Sequence, residues 1–112
     1  MEQLIDTKIK KGVLEYIVLL IISSGDVYAS DIINILNEAS LITVEGTVYP
    51  LLSKLTREGK VEYRWEESPN GPPRKYYTLS QYGHEFLKAY KKAWDSMIQN
   101  ISYIQTNYVK GS

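Results

Sequence analysis

The sequence predicts a mostly helical α+β fold: three helices, a β-hairpin and one long final helix. Three observations predict it. Before residue 60, an almost wholly apolar segment is followed by two stretches with apolar residues at helical spacing. Between Val61 and Leu79 the period changes from 3.6 to 2. From Leu87 to Tyr108 the helical period returns as an unbroken heptad stripe.

The first helix is expected from about Asp6 to Ser23. From Val13 onward it is apolar nearly all round, which places it centrally, and Ser23-Ser24-Gly25-Asp26 ends it with loop chemistry. The second carries Ala29, Ile32, Ile33 and Leu36 on one face, with Asp26 as its expected N-cap. The third is expected to start near Thr43 and repeats the spacing at Val48, Leu51, Leu52 and Leu55. Gly59, after Arg57-Glu58, suits its C-terminal cap. Pro50 is the anomaly, because two turns into a helix it forfeits the bond to the Gly46 carbonyl. Either the helix starts later or its first turn is distorted.

Val61, Tyr63 and Trp65 alternate with Glu62, Arg64 and Glu66, the pattern of a half-buried strand. Ser68-Pro69-Asn70-Gly71-Pro72-Pro73 reads as a loop, and Lys75 to Leu79 as the returning strand. Ser80 is the expected cap of the last helix. Its stripe is Leu87, Tyr90, Trp94, Met97, Ile101, Ile104 and Tyr108, in steps of three and four. At 1.5 Å per residue a helix from Ser80 to Tyr108 is roughly 43 Å long. That exceeds what a domain of this size covers with its own core, so the stripe implies a second copy. Val109 to Ser112 read as a frayed end. Residues 1–79 and 80–110 thus form two regions of one compact unit.

The 112 residues are 44% hydrophobic and 23% charged, an ordinary globular balance. Without cysteine, disulfides and thiolate metal sites are excluded. The start does not read as a signal peptide, and the most apolar run, Val13 to Ile22, is too short to span a bilayer. A cytoplasmic location without membrane contact is expected. Thirteen basic and thirteen acidic residues cancel, so any basic footprint must be local. Residues 26–45 hold four acids and no base. Residues 54–78 hold Lys54, Arg57, Lys60, Arg64, Arg74 and Lys75 against four acids, and Lys8, Lys10 and Lys11 cluster near the N-terminus. Folding that joins these segments would give a basic face.

Three helices, a hairpin and a final helix are the order of a winged helix-turn-helix, whose third helix enters the major groove. On that helix Thr47, Tyr49, Ser53, Lys54 and Arg57 fall outside the apolar face. Hydroxyls and cations of this kind contact phosphates and base edges. Lys54 and Arg57 are equally compatible with a solvated helix face.

Two ordered motifs carry a more specific resemblance. Gly46-Thr47-Val48-Tyr49-Pro50-Leu51-Leu52-Ser53-Lys54-Leu55, followed by Arg57-Glu58-Gly59, resembles the PadR family of bacterial repressors. So does Arg74-Lys75-Tyr76-Tyr77-Thr78-Leu79-Ser80 with Gly83 behind it. The likeness spans roughly residues 10–108, and the short C-terminus resembles the small subgroup that includes multidrug-sensing regulators. It implies a homodimer on a pseudo-palindromic operator in double-stranded DNA, with Tyr49 near a phosphate, Lys54 in the recognition helix, and Arg74 and Lys75 flanking the DNA from the wing. The sequence departs from the pattern at Ala29-Ser30, where a Gly-Tyr pair commonly opens helix 2. Glu62, Glu66 and Glu67 also make its wing less basic than the pattern of a DNA-binding wing favours.

The resemblance further implies a slot between subunits in which a flat aromatic effector stacks on Trp94, beside Tyr90 and Met97, with Asp95 favouring cationic ligands. Packing of Trp94 as plain dimer core, with Leu87, Ile101, Ile104 and Tyr108, fits the residues equally well. An enzyme is not expected. His84 is the only histidine, and no nucleophile elbow, phosphate loop or metal-ligand cluster occurs, so no cofactor or metal is expected. The rival reading is a winged helix that binds only other proteins, which the neutral net charge favours.

Overall fold

A computed structural model describes residues 1–41 and 45–111. Helix α1 (Glu2–Ser23) begins about a turn before the expected Asp6. Strand β1 (Val27–Tyr28) and helix α2 (Ala29–Glu38) follow, then one 3₁₀ turn (Glu45–Thr47) and helix α3 (Val48–Arg57). Strands β2 (Val61–Ser68) and β3 (Gly71–Leu79) form the wing, and helix α4 (Gln81–Tyr108) closes the chain.

The core joins Val18, Leu19 and Ile22 of α1 to Ile32 and Leu36 of α2, Val48, Leu52 and Leu55 of α3, and Val61, Tyr77 and Leu79 of the sheet. All are apolar residues from one face of their element, and it is the C-terminal half of α1, where its apolar residues concentrate, that enters the core.

Helix α2 differs from expectation at its start. Asp26 is not its cap; the Asp31 carboxylate accepts the backbone N–H of Tyr28 at 2.9 Å, and Tyr28 is the capping position. Asp26 instead pairs with Arg64 of the wing at 2.9 Å. The two residues before α2 form a short strand, with Val27 opposite Tyr77 and Tyr28 opposite Tyr76, so the sheet is three-stranded and antiparallel in the order β1-β3-β2.

The expected cap at Thr43 lies outside the described residues. Pro50 is the third residue of α3, within the first turn, where backbone N–H groups have no intrahelical partner. Its missing donor therefore costs nothing, and the helix simply starts later. At the other end Gly59 takes φ +75°. The N–H groups of Gly59 and Lys60 return to the carbonyls of Thr56 and Leu55, a Schellman cap that only glycine enters without strain.

The hairpin is longer than expected. Gly71, Pro72 and Pro73, read as loop, belong to β3, and the register is irregular between Glu66 and Ser68, opposite the two prolines that lack a donor. Tyr63 and Trp65 are not half-buried: they are 41% and 62% exposed. The wing runs past the edge of the core, so only Val61, Tyr77 and Leu79 at its base are buried.

Ser80 caps α4 through its hydroxyl, which accepts the Gly83 N–H at 2.9 Å and donates to the Gly59 carbonyl. The start of α4 is thereby fastened to the end of α3. Phe86 and Leu87 pack on the core. Beyond Trp94 the stripe residues Met97, Ile101, Ile104 and Tyr108 are exposed, on an arm that gives the molecule a long dimension of 59 Å.

Candidate nucleic-acid interface

Because Val48, Leu52 and Leu55 turn inward, α3 turns Tyr49, Ser53, Lys54 and Arg57 to solvent. Thr47 stands at the helix start and is partly buried. Facing α3 is the wing. Arg74 is exposed, its guanidinium 3.9 Å from the centre of the Tyr28 ring. The Lys75 ammonium lies 4.4 Å over Tyr63 and 5.5 Å from Trp65. Such cation–π contacts hold long side chains in place without neutralising their charge.

A cleft of about 440 Å³ separates α3 from the wing. Tyr49 and Ser53 line it from α3, Trp65, Arg74, Lys75 and Tyr77 from the wing, and Tyr28, Ala29 and Ser30 from the start of α2. Four of the expected DNA-binding residues, Tyr49, Ser53, Arg74 and Lys75, therefore share one concave surface. Thr47, Lys54 and Arg57 do not line it; Lys54 and Arg57 belong to the last turn of α3. Sequence reasoning missed Tyr28, Ser30 and Trp65. Only for Trp65 was there a signal, the density of aromatic residues in the hairpin.

The expected basic face needs correction at two positions. Lys60 is buried, not displayed. Its ammonium donates to Glu15 at 2.8 Å and to Glu58 at 3.0 Å and sits 3.7 Å over the Phe86 ring. Burial works against its charge, yet the hydrogen bonds to Glu15 and Glu58 outweigh that and hold its pKa above the ordinary value. Arg64 is exposed but committed, to Glu66 at 2.7 Å and to Asp26 at 2.9 Å. The same two partners hold its pKa up. The N-terminal cluster stands apart from the cleft: Lys10 pairs with Asp6 at 2.7 Å and donates to the Ser40 carbonyl at 2.8 Å.

The second candidate site lies where α4 leaves α1. Tyr16 is buried beneath α4, stacked on Tyr90 with ring centres 4.7 Å apart and tilted against Trp94 at 5.9 Å. Trp94 is half-buried by this contact within its own chain, and Met97 is exposed one step further along. Asp95 opens on a different groove of α4, with Lys88, Lys91 and Lys92, and pairs with Lys91 at 3.0 Å. Its charge is thus offset by that lysine. Among the described residues no group of His, Asp and Glu has the arrangement of a metal site, and no helix is long and apolar enough to cross a membrane.

Helices α2 and α3, the hairpin behind them and the display of hydroxyls and cations on α3 define a winged helix-turn-helix protein. A family model described as the transcriptional regulator PadR-like family matches residues 18–89, and the chain belongs to that family, whose members are transcriptional regulators rather than enzymes. A PadR-like transcription factor from Bacteroides fragilis is 43% identical, with 89% of this chain and 97% of that one covered, at a TM-score of 0.76. A PadR-like regulator from Bacillus cereus is 32% identical over 94% and 99% of the two chains, at 0.78. Bacillus subtilis PadR, solved in complex with operator DNA, is 28% identical over 70% of this chain and 46% of its own, at 0.64. No curated protein matches the chain.

Proposed function

We propose that the protein is a repressor that binds a pseudo-palindromic operator as a homodimer, in the cytoplasm, with α3 in the major groove and the wing along the adjoining backbone. One observation carries the reading: Tyr49 and Ser53 of α3 and Arg74 and Lys75 of the wing stand on opposite sides of one open cleft. Two hydroxyls and two cations around a concave surface suit a phosphate chain. Lys54 and Arg57, exposed one turn further along α3, suit base edges or the next phosphates. The solved complex of Bacillus subtilis PadR with operator DNA supports this assignment.

Two unpartnered apolar surfaces support the homodimer. One is Met97, Ile101, Ile104 and Tyr108 on α4; the other is Leu4, Ile5 and Ile9 on the first turns of α1. Surfaces of this kind on a small domain call for a partner. The half-buried Trp94, with Tyr90 and Tyr16 behind it, supports a planar effector bound near the middle of α4, in the manner of the multidrug-sensing subgroup.

The test is binding to a duplex taken from upstream of the protein's own reading frame. Lys54→Ala and Arg74→Ala should each weaken binding. A variant that no longer neutralises one phosphate should also flatten the salt dependence by about 0.9 in logarithmic slope. If both variants bind as the wild type does, those residues leave the interface. A wild type that binds no DNA at low salt would favour the protein-binding alternative.

A further inference from the structure

We propose that Trp65 is an apolar DNA contact of the wing beside the cations Arg74 and Lys75, its indole lying against deoxyribose rings of the backbone that crosses the cleft. The inference rests on the DNA-binding reading above and names a contact which that reading lacks.

Sidedness places the ring on the cleft. Trp65 is the cross-strand partner of Lys75, and Tyr63 that of Tyr77. Directly opposed residues project from the same face of a sheet. Tyr77 is buried in the core behind α3, so Trp65 and Lys75 extend that same face outward, beyond the core and beside Tyr49 and Ser53. Arg64, Glu66, Arg74 and Tyr76 occupy the alternate positions, and of these only Arg74 reaches the cleft, over the Tyr28 ring at the β1 edge of the sheet.

The ring is also exposed in a fixed orientation. A 62% exposed tryptophan leaves a large apolar ring in water, and Trp is the side chain that gains most when such area is covered. The ring is nevertheless held: Tyr63 meets it edge-on at 6.1 Å and 87°, and the Lys75 ammonium lies 5.5 Å from its centre. An exposed aromatic ring already in place needs little ordering on binding.

Charge points the same way. Arg64 is the only cation of β2, and it is committed to Glu66 and Asp26. Glu62 and Glu67 are exposed on the same strand. The β2 half of the wing therefore has no uncommitted cation to offer a phosphate. What it does present is an apolar ring, bordered by Lys75. A sugar edge between two phosphates matches that surface, and the duplex backbone supplies a continuous row of them.

The physical signature of such a contact is affinity without counterion release. Displaced ions set the salt slope, and an apolar contact with a sugar displaces none. Trp65→Ala should therefore weaken binding to the upstream duplex about tenfold at every salt concentration, with the logarithmic slope unchanged. Arg74→Ala, measured beside it, should lower the slope. Trp65→Phe keeps a flat ring and should recover most of the loss. Thermal unfolding of all three variants, each altered at an exposed position, should match the wild type. Wild-type affinity for Trp65→Ala would overturn the proposal. So would a Trp65→Ala loss that comes with a lowered slope, since the contact would then act through Lys75. Salt-dependent wild-type binding together with either result leaves the DNA-binding reading standing. Absence of wild-type binding overturns both.

Discussion

Gly83, in the first turn of α4, lies so close to Lys60 that a Cβ there would sit 1.9 Å from the Lys60 carbonyl oxygen. No side chain fits without moving backbone. The same carbonyl accepts the Ser80 N–H at 3.1 Å, so the α3 cap, the base of the wing and the start of α4 meet at this point. Gly83→Ala should push α4 away from β2 at a cost of about 1–3 kcal/mol, the range of an overpacked core site. Thermal unfolding by circular dichroism at fixed concentration measures it. A midpoint equal to the wild type would mean that α4 leaves room for a Cβ beside the Lys60 carbonyl.

Lys60 makes stability depend on pH in a direction that can be worked out. Its folded pKa lies above the ordinary 10.5, so its contribution is complete below that value and is lost as pH rises through the folded pKa. Glu58 has the opposite sign. The Lys60 hydrogen bond holds its pKa below 4.5, so its contribution is present above that value and is lost as pH falls. Lys60→Met keeps an unbranched side chain in this buried position while removing the ammonium and both its pairs. Urea unfolding across both limits should show a flatter profile for Lys60→Met than for the wild type. Parallel profiles would mean the two ion pairs contribute nothing.

The heptad stripe predicts a specific assembly defect. Ile101 and Ile104 are exposed within one chain, so changing both to Asp should leave the monomer folded while placing charges in the buried seam of a dimer. Sedimentation should show a helical monomer where the wild type is a dimer. A wild type that remains monomeric at high concentration would remove the homodimer.

Trp94 should report a planar aromatic dye through quenching of its emission. A Trp65→Phe background isolates the signal, because the chain has only two tryptophans. Trp94→Ala should weaken dye binding at least tenfold while the dimer persists on the remaining stripe. Aromatic stacking of about 0.5–1.5 kcal/mol, added to the buried area, is enough for that factor. If dyes never quench the wild type and Trp94→Ala dissociates the dimer, Trp94 is interface core.

Features fixed by a repeat or by a single turn residue were legible in the sequence. The stripe from Leu87 to Tyr108, the alternation after Val61 and the Gly59 cap each state their own geometry locally. Features set by distant partners were not. Strand β1 has two residues, too few to carry a period, and exists because the edge of β3 away from β2, at Tyr76 and Tyr77, pairs with Val27 and Tyr28. Asp26 has the chemistry of a cap, but its carboxylate is taken by Arg64, 38 residues on. Lys60 reads as surface charge because lysine is rarely buried unless paired, and its partner Glu15 lies 45 residues back. Trp65 alternates like a core residue because alternation records which face a side chain takes, not how far the strand outruns the core.

The central claim is that the cleft between α3 and the wing holds a DNA backbone. Affinity of the wild type for the duplex upstream of its own reading frame, measured across a salt series, tests it most directly. The account predicts tight binding at low salt that falls linearly on logarithmic axes, with a slope corresponding to several phosphates. Binding that is absent at low salt, or that does not change with salt, would contradict it.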